Sequence, residues 1–209
     1  MILAVFYICF RKEEEVYKKR KIIGGVLAVL MLCGVLVGCS ANSAQTAPYE
    51  KGTITETEFT SKWMGLQYTL PNDMVMMTEE YLESLAASSR VQMEMQALMD
   101  DNSGDNIVVL TEDLSSAASI DEKHYIELSK PQIETLADEV AFDEAGQRTI
   151  AGETFYELPY HLSMEIDGTS VTLDQTFLCK KRGDRMICMT LTHSGEDSIR
   201  YLLAGFSKI

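Results

Sequence analysis
Tyr156-Glu-Leu-Pro-Tyr-His-Leu-Ser-Met-Glu-Ile166 carries six apolar side chains at period two without an exception: Tyr156, Leu158, Tyr160, Leu162, Met164 and Ile166. Between them stand Glu157, Pro159, His161, Ser163 and Glu165. That alternation predicts a half-buried strand. Asp167-Gly168 follows, a dipeptide that favours the positive φ angles of a two-residue hairpin loop. Such a loop sets Leu162 opposite Leu173 and Leu158 opposite Phe177, with Val171, Leu173, Phe177 and Cys179 on the core face. Gly183-Asp184 marks a second tight turn, which pairs Phe177 with Thr190 and Cys179 with Cys188. Antiparallel alternation makes the two registers compatible. On the opposite face Leu178, Ile187, Met189 and Leu191 are apolar as well, so the sheet must be covered on both sides. Pro159 has no N–H to give to a second neighbour, so its strand is expected at a sheet edge or bulged there.

Working outward, residues 53–60 alternate weakly, and residues 62–70 (KWMGLQYTL) read as a strand ended by Pro71-Asn72-Asp73. A helix is expected from about residue 78 to 99, with Leu82, Leu85, Ala86, Ser89, Met93 and Ala97 on one face. The polar run 100–106 breaks it, and residues 107–110 form a strand buried on both faces. Ser119-Ile-Asp-Glu122 is a capping box opening a second helix, which meets Pro131 and ends near Asp138. A last helix follows Ser194-Gly195-Glu196 and turns Ile199, Leu202, Leu203 and Phe206 inward. The order ββαβαβββα predicts an α+β protein, a three-layer α/β/α sandwich around a mainly antiparallel sheet.

The first 38 residues have another purpose. Lys18-Lys19-Arg20-Lys21 precedes an apolar run, residues 22–37, that ends at Leu36-Val37-Gly38-Cys39. This is the build of a secretory signal peptide. A cysteine after Leu-Val-Gly resembles the lipobox of bacterial lipoproteins. The resemblance implies a diacylglyceryl group on the Cys39 thiol, cleavage before it, and a lipid anchor on the extracytoplasmic face of a bacterial membrane. The alternative is an uncleaved single span, for which the run is at the short limit. Residues 1–15 are apolar and then acidic, unlike a signal n-region, and suggest an over-extended start. The expected organisation is a signal peptide over 1–38, a lipidated cysteine and flexible linker over 39–52, and one domain over 53–209.

Charge narrows the partners. The chain has 18 Lys+Arg and 32 Asp+Glu; the first 38 residues hold 6 and 3, leaving 12 against 29, a formal charge of −17. Nucleic acid binding needs a basic stripe, and this balance excludes it as a partner. It also argues against lying flat on anionic lipid. Of five cysteines, Cys9 and Cys33 leave with the signal and Cys39 takes lipid. Cys179 and Cys188 remain, facing each other either as a disulfide or as two buried thiols.

Several stretches together resemble the PsbP-like superfamily over about residues 54–207. They are Trp63-Met-Gly-Leu-Gln-Tyr-Thr-Leu-Pro71, Asn106-Ile-Val-Val, the serine-capped second helix, and Ile150-Ala-Gly152 ahead of the C-terminal meander. The resemblance implies an α/β/α sandwich and a non-enzymatic binding or assembly role. It carries over no catalytic residue.

Local chemistry is sparse. The 100–106 loop is rich in oxygen ligands, but its glycine is one place early for an EF-hand and no glutamate ends it. His124, His161 and His193 fall on separate elements without ligand spacing. Glu79-Glu80 and Glu196-Asp197 stand at helix starts, where carboxylates complement the dipole. No catalytic residue, metal or cofactor is expected. Met74, Met76 and Met77 are either core filler or an apolar partner surface, and the edge near Pro159 is a second such surface. The leading function is therefore a tethered, non-catalytic protein that binds an unidentified protein partner. The rivals are a tethered hydrolase and a binder of a small ligand or cation.

Overall fold
The computed structural model describes residues 48–85, 90–101, 103–166 and 169–209. The signal segment, Cys39 and the Asp167-Gly168 turn lie outside the described residues. In chain order the elements are β1 (Thr53–Ile54), β2 (Glu58–Ser61), β3 (Leu66–Thr69), β4 (Met74–Met76), α1 (Glu79–Leu85), β5 (Val91–Met99) and β6 (Asn106–Asp113). Then come α2 (Glu122–Ile133), β7 (Glu139–Phe142), β8 (Gly146–Ile150), β9 (Glu153–Ile166), β10 (Thr169–Arg182), β11 (Arg185–His193), α3 (Glu196–Ala204) and β12 (Phe206–Lys208).

The main sheet runs β4-β5-β6-β11-β10-β9-β7, with β8 also on β9, and a smaller sheet runs β1-β2-β3-β12. Every pairing is antiparallel. The two hairpins take the registers that their turns dictate. Leu162 faces Leu173 and Leu158 faces Phe177, while Phe177 faces Thr190 and Cys179 faces Cys188. Both faces of the main sheet are apolar and both are covered. Leu178, Ile187, Met189 and Leu191 pack with Val109 against Phe59, Tyr68 and Phe206 of the small sheet and Leu202 of α3. Phe177, Cys188, Val108 and Leu110 pack against Leu82 of α1 and Tyr125, Ile126 and Ile133 of α2. The protein is thus a mixed α/β, mostly antiparallel fold of three layers, one outer layer being the small sheet with α3.

Several expectations are corrected. The helix expected over 78–99 stops at Leu85, and residues 91–99 are strand β5. Met, Leu, Ala, Glu and Gln are good helix formers, but pairing with β4 and β6 outweighs that preference. A bulge between Met93 and Met95 also interrupts the period of two that would have revealed the strand. The cap of α2 is Asp121, whose side chain accepts from the His124 N–H at 2.8 Å, rather than Ser119. Glu122 instead accepts from the Lys181 N–H at 2.9 Å, tying the helix to β10. The helix passes through Pro131 and tightens into a 3-10 turn over Glu134–Leu136. Lys62 to Gly65 form a turn ahead of β3, closed by the Gly65 N–H on the Ser61 carbonyl.

Pro159 is not on an edge. Beyond β9, β8 pairs with residues 153–157 and β7 with residues 160–163. Pro159 falls in the gap between them, where no N–H is wanted, and its carbonyl accepts from the Asp143 N–H at 3.0 Å. The outer side of this strand is therefore occupied, which removes it as a partner surface.

Gly205 ends α3 where the chain turns back against β3. A Cβ there would stand 2.5 Å from the Thr69 carbonyl oxygen and 2.7 Å from the Tyr68 ring. Gly205→Ala is expected to destabilise by about 1–3 kcal/mol. Gly146→Ala, with nothing within 4 Å, is expected to change stability by about 0.5 kcal/mol or less. Urea unfolding of the two variants checks the contrast.

Candidate functional site
Strand β6 is buried along nearly its whole length, and its two faces serve different layers. Val108 and Leu110 face α2, so period two sends Glu112 the same way. Glu112 is only 6% exposed. Its Oε2 accepts from the Tyr125 hydroxyl at 2.5 Å, and Tyr125 in turn accepts from the Cys188 thiol at 3.4 Å. The donors form a chain running from the core outward, Cys188 to Tyr125 to Glu112. It ends in a cavity of about 100 Å³ lined by Glu112, Tyr125, Leu114, Ile120, Leu128 and Arg90. Burial pushes the Glu112 carboxyl above the ordinary carboxylate range, although Tyr125, Arg90 and Arg185 all favour its charged form.

The cysteines belong to the same region. Cys179 and Cys188 face each other across the β10–β11 ladder and are both buried free thiols. Each bonds to α2, Cys179 donating to the Glu122 carbonyl at 3.6 Å and Cys188 to Tyr125. Burial raises both thiol pKa values, which keeps them protonated and unreactive.

The opposite face of the same sheet end holds a second buried carboxylate. The β5 bulge carries Glu94, which is fully buried. It accepts from the Tyr49 hydroxyl at 2.6 Å, the Gly52 N–H at 3.0 Å and the Thr111 hydroxyl at 3.2 Å. The Tyr49 ring meets Trp63 edge-on at 5.3 Å, and the Arg185 guanidinium lies 3.9 Å from its centre. Lys51 pairs with Glu79 of α1 at 2.7 Å. Residues 49–52, expected to be flexible linker, are therefore part of the folded domain.

The structure distributes the other sequence candidates. Met74 and Met76 are buried in the core against the small sheet, and Met77 is half-buried on the α1 side. β4 alternates, so the residue it exposes is Val75. The thioethers of Met74 and Met76 are core, not a contact surface. Among the described residues, no group of three or more His, Cys, Asp or Glu side chains is placed to hold a metal. In the stretch ahead of β6, Asp101 accepts from the Ser103 N–H at 2.8 Å, and Asp105 accepts from the Ser194 and Ser198 hydroxyls. Glu196 holds Arg148 at 2.9 Å. His124 sits 3.1 Å from Asp121, and His193 is 3.0 Å from the Thr176 hydroxyl.

Register places His161, Asp174 and His193 side by side on one face. His161 lies between Asp174 at 2.7 Å and Asp143 at 3.3 Å. Sequence reasoning missed Glu94 and Glu112. Glu112 left one signal, a glutamate continuing the buried parity of Val108 and Leu110.

No family model matches the chain, and no curated protein matches it in sequence. Among solved structures it is similar to the cyanobacterial PsbP protein CyanoP of Synechocystis sp. PCC 6803. The TM-score is 0.47 at 12% identity, over 80% of this chain and 98% of that one. A protein of Bacteroides thetaiotaomicron VPI-5482 aligns with a TM-score of 0.44 at 9% identity, over 75% of this chain and 49% of that one. LpqN of Mycobacterium tuberculosis, described as involved in cell envelope biogenesis, aligns with a TM-score of 0.43 at 13% identity, over 68% and 82%. Likenesses this distant leave the family and the role to be argued from the residues.

Two outcomes check the site. Tyr125→Phe removes the hydroxyl that donates to the buried Glu112 carboxylate and is expected to cost about 1–3 kcal/mol in urea unfolding. Asp174, by its hydrogen bond and then its charge, raises the His161 pKa above the ordinary 6.5. A raised histidine stabilises below its unfolded pKa, and the effect is lost as pH rises through the folded value. An NMR titration of His161 is expected to show a midpoint above 6.5 that falls in Asp174→Asn.

Proposed function
We propose that this chain is a lipid-anchored extracytoplasmic binding module, held to a bacterial membrane through Cys39 and engaging a protein partner without catalysing a reaction. The observation that supports it best is the docking of residues 49–52. Tyr49 and Gly52 both donate to the buried Glu94, and Lys51 is paired to α1. The tether therefore has a fixed root. Cys39 precedes Tyr49 by ten residues, a span of at most about 35 Å when fully extended. The Glu112 cavity opens at the same end of the main sheet, since Glu112 pairs with Val91 and Glu94 bonds to Thr111. A partner engaged there would lie close to the membrane.

The charge left after residue 38, −17, repels anionic substrates over a Debye length of about 8–10 Å and suits a partner with cationic groups. A tethered hydrolase would want its acids converging on one cleft. Glu94 and Glu112 instead point to opposite faces of the sheet, and each is committed to a tyrosine hydroxyl.

The test is Cys39→Ala in intact cells, with membrane fractionation and crosslinking followed by mass spectrometry. The unaltered protein is expected in the membrane fraction with a reproducible crosslinked partner. The variant is expected to be released or to accumulate as precursor, and to lose that crosslink. Unchanged membrane partitioning would overturn the anchor, and turnover in a hydrolase screen would overturn the binding role.

A further inference from the structure
We infer that the free edge of β8, with the cavity between it and α2, takes an extended peptide segment of a protein partner. The segment adds to β8 as a further strand and turns one bulky apolar side chain into the cavity. The inference rests on the binding role proposed above but not on the lipid anchor.

The backbone comes first. β7 and β8 follow one another along the outer side of β9 and form the border of the main sheet there. Among the described residues no strand pairs with the other side of β8. Ala151 and Gly152, both at positive φ, make the two-residue turn from β8 into β9. The pairs Ile150–Glu153 and Arg148–Phe155 therefore exchange hydrogen bonds across the ladder. Alternation then points the N–H and C=O groups of Gln147 and Thr149 outward, and both residues are exposed. Sheet edges are commonly blunted by proline, lysine or a bulge, and β8 has none of these. Its one charge, Arg148, is held by Glu157 at 2.6 Å and Glu196 at 2.9 Å.

Side chains select the occupant. Register puts Gln147 on the same face as Tyr156 and Cys179, the face that α2 covers. A cavity of about 380 Å³ lies there, lined by Lys123, Ile126 and Glu127 of α2, Gly146 and Gln147 of β8, and Tyr156 of β9. A strand laid along β8 carries every second side chain to that face. Ile126, the Tyr156 ring and the stems of Lys123 and Glu127 offer apolar surface that suits a group the size of phenylalanine. The Glu127 carboxylate is already paired with Lys130 at 2.8 Å. The net negative charge of the chain disfavours acidic residues in the segment. A second copy of this edge fits poorly. Pairing Gln147 with Thr149 of the copy sets the two Arg148 side chains opposite each other, and like charges there destabilise. It also sends only Gln147 and Thr149 toward the cavity, neither of them bulky and apolar.

The experiment uses the full chain purified in detergent and the peptide acetyl-Thr-Thr-Phe-Thr-Thr-amide, read by NMR. The peptide is expected to shift the Gln147 and Thr149 amides and the Tyr156 ring saturably, with a Kd on the order of a millimolar. It is also expected to slow hydrogen exchange at those two amides. The same peptide with alanine at its centre is expected to bind at least about tenfold more weakly. Gln147→Pro removes an outward donor that the β9 ladder does not use, so the fold is kept and the peptide is expected to weaken about tenfold. Tyr156→Ala is expected to narrow the difference between the two peptides. Absence of saturable shifts, equal binding of the alanine peptide, or an unchanged Kd in Gln147→Pro overturns the inference. Protection of the Gln147 and Thr149 amides before any peptide is added also overturns it. That protection would assign the edge to a second copy if dilution removes it, and to another segment of this chain if dilution does not. In cells, a crosslinked partner that persists in Gln147→Pro would sink the groove and leave the binding role standing. Loss of that crosslink with membrane partitioning unchanged supports the groove.

Discussion

Strands β6 and β11 are largely apolar on both faces, and the rest of the architecture answers to that. Ile107, Val109, Ile187, Met189 and Leu191 present one apolar surface, and Val108, Leu110, Met186 and Cys188 the other. Each such side chain stabilises by about 1.5–3 kcal/mol when buried and contributes little when wet. A two-faced sheet therefore needs a layer on each side. One is made from α1 and α2, the other from α3 with four short strands, none of which could stand alone. The small sheet exists because the large one has a second face to cover.

The same end of that sheet holds two buried carboxylates with different surroundings. Glu94 is saturated by donors from β6 and from the entry segment, so it works as a joint. Glu112 is fed from behind by a tyrosine and a thiol and borders a cavity in front. Its burial outweighs the Tyr125 hydrogen bond and the charges of Arg90 and Arg185, which is why its protonated form gains. Arg185 stands between the two systems, stacked on Tyr49, 3.9 Å from Asp113, and close enough to Glu112 to act on its charge.

What was legible in the sequence follows the range of the interactions involved. The β9–β10–β11 registers could be read because period-two patterning and two-residue turns leave one alignment. The double-sided sheet was visible in Ile187 to Leu191 for the same reason. Strand β5 was not, because Met93, Met95, Ala97 and Leu98 are helix formers and Glu94 breaks their alternation. The cap of α2 was misplaced by two residues because Ser119 and Asp121 are both competent caps, and only packing against β10 chooses between them. Tyr49 and Glu94 are 45 residues apart, and nothing local marks either. Glu112 was hidden by the ordinary look of a glutamate near a strand end.

The docking of residues 49–52 also fixes a load path. Tension arriving along the chain from its N-terminal side reaches Tyr49 and Gly52 before it reaches β1, which pairs with β2 through only two residues. Both donors end on one carboxylate, Tyr49 on one oxygen and Gly52 on the other. That carboxylate belongs to β5, which is laddered to β4 on one side and β6 on the other. Drag on the domain would then be carried by the main sheet, and the short outer strands would be spared.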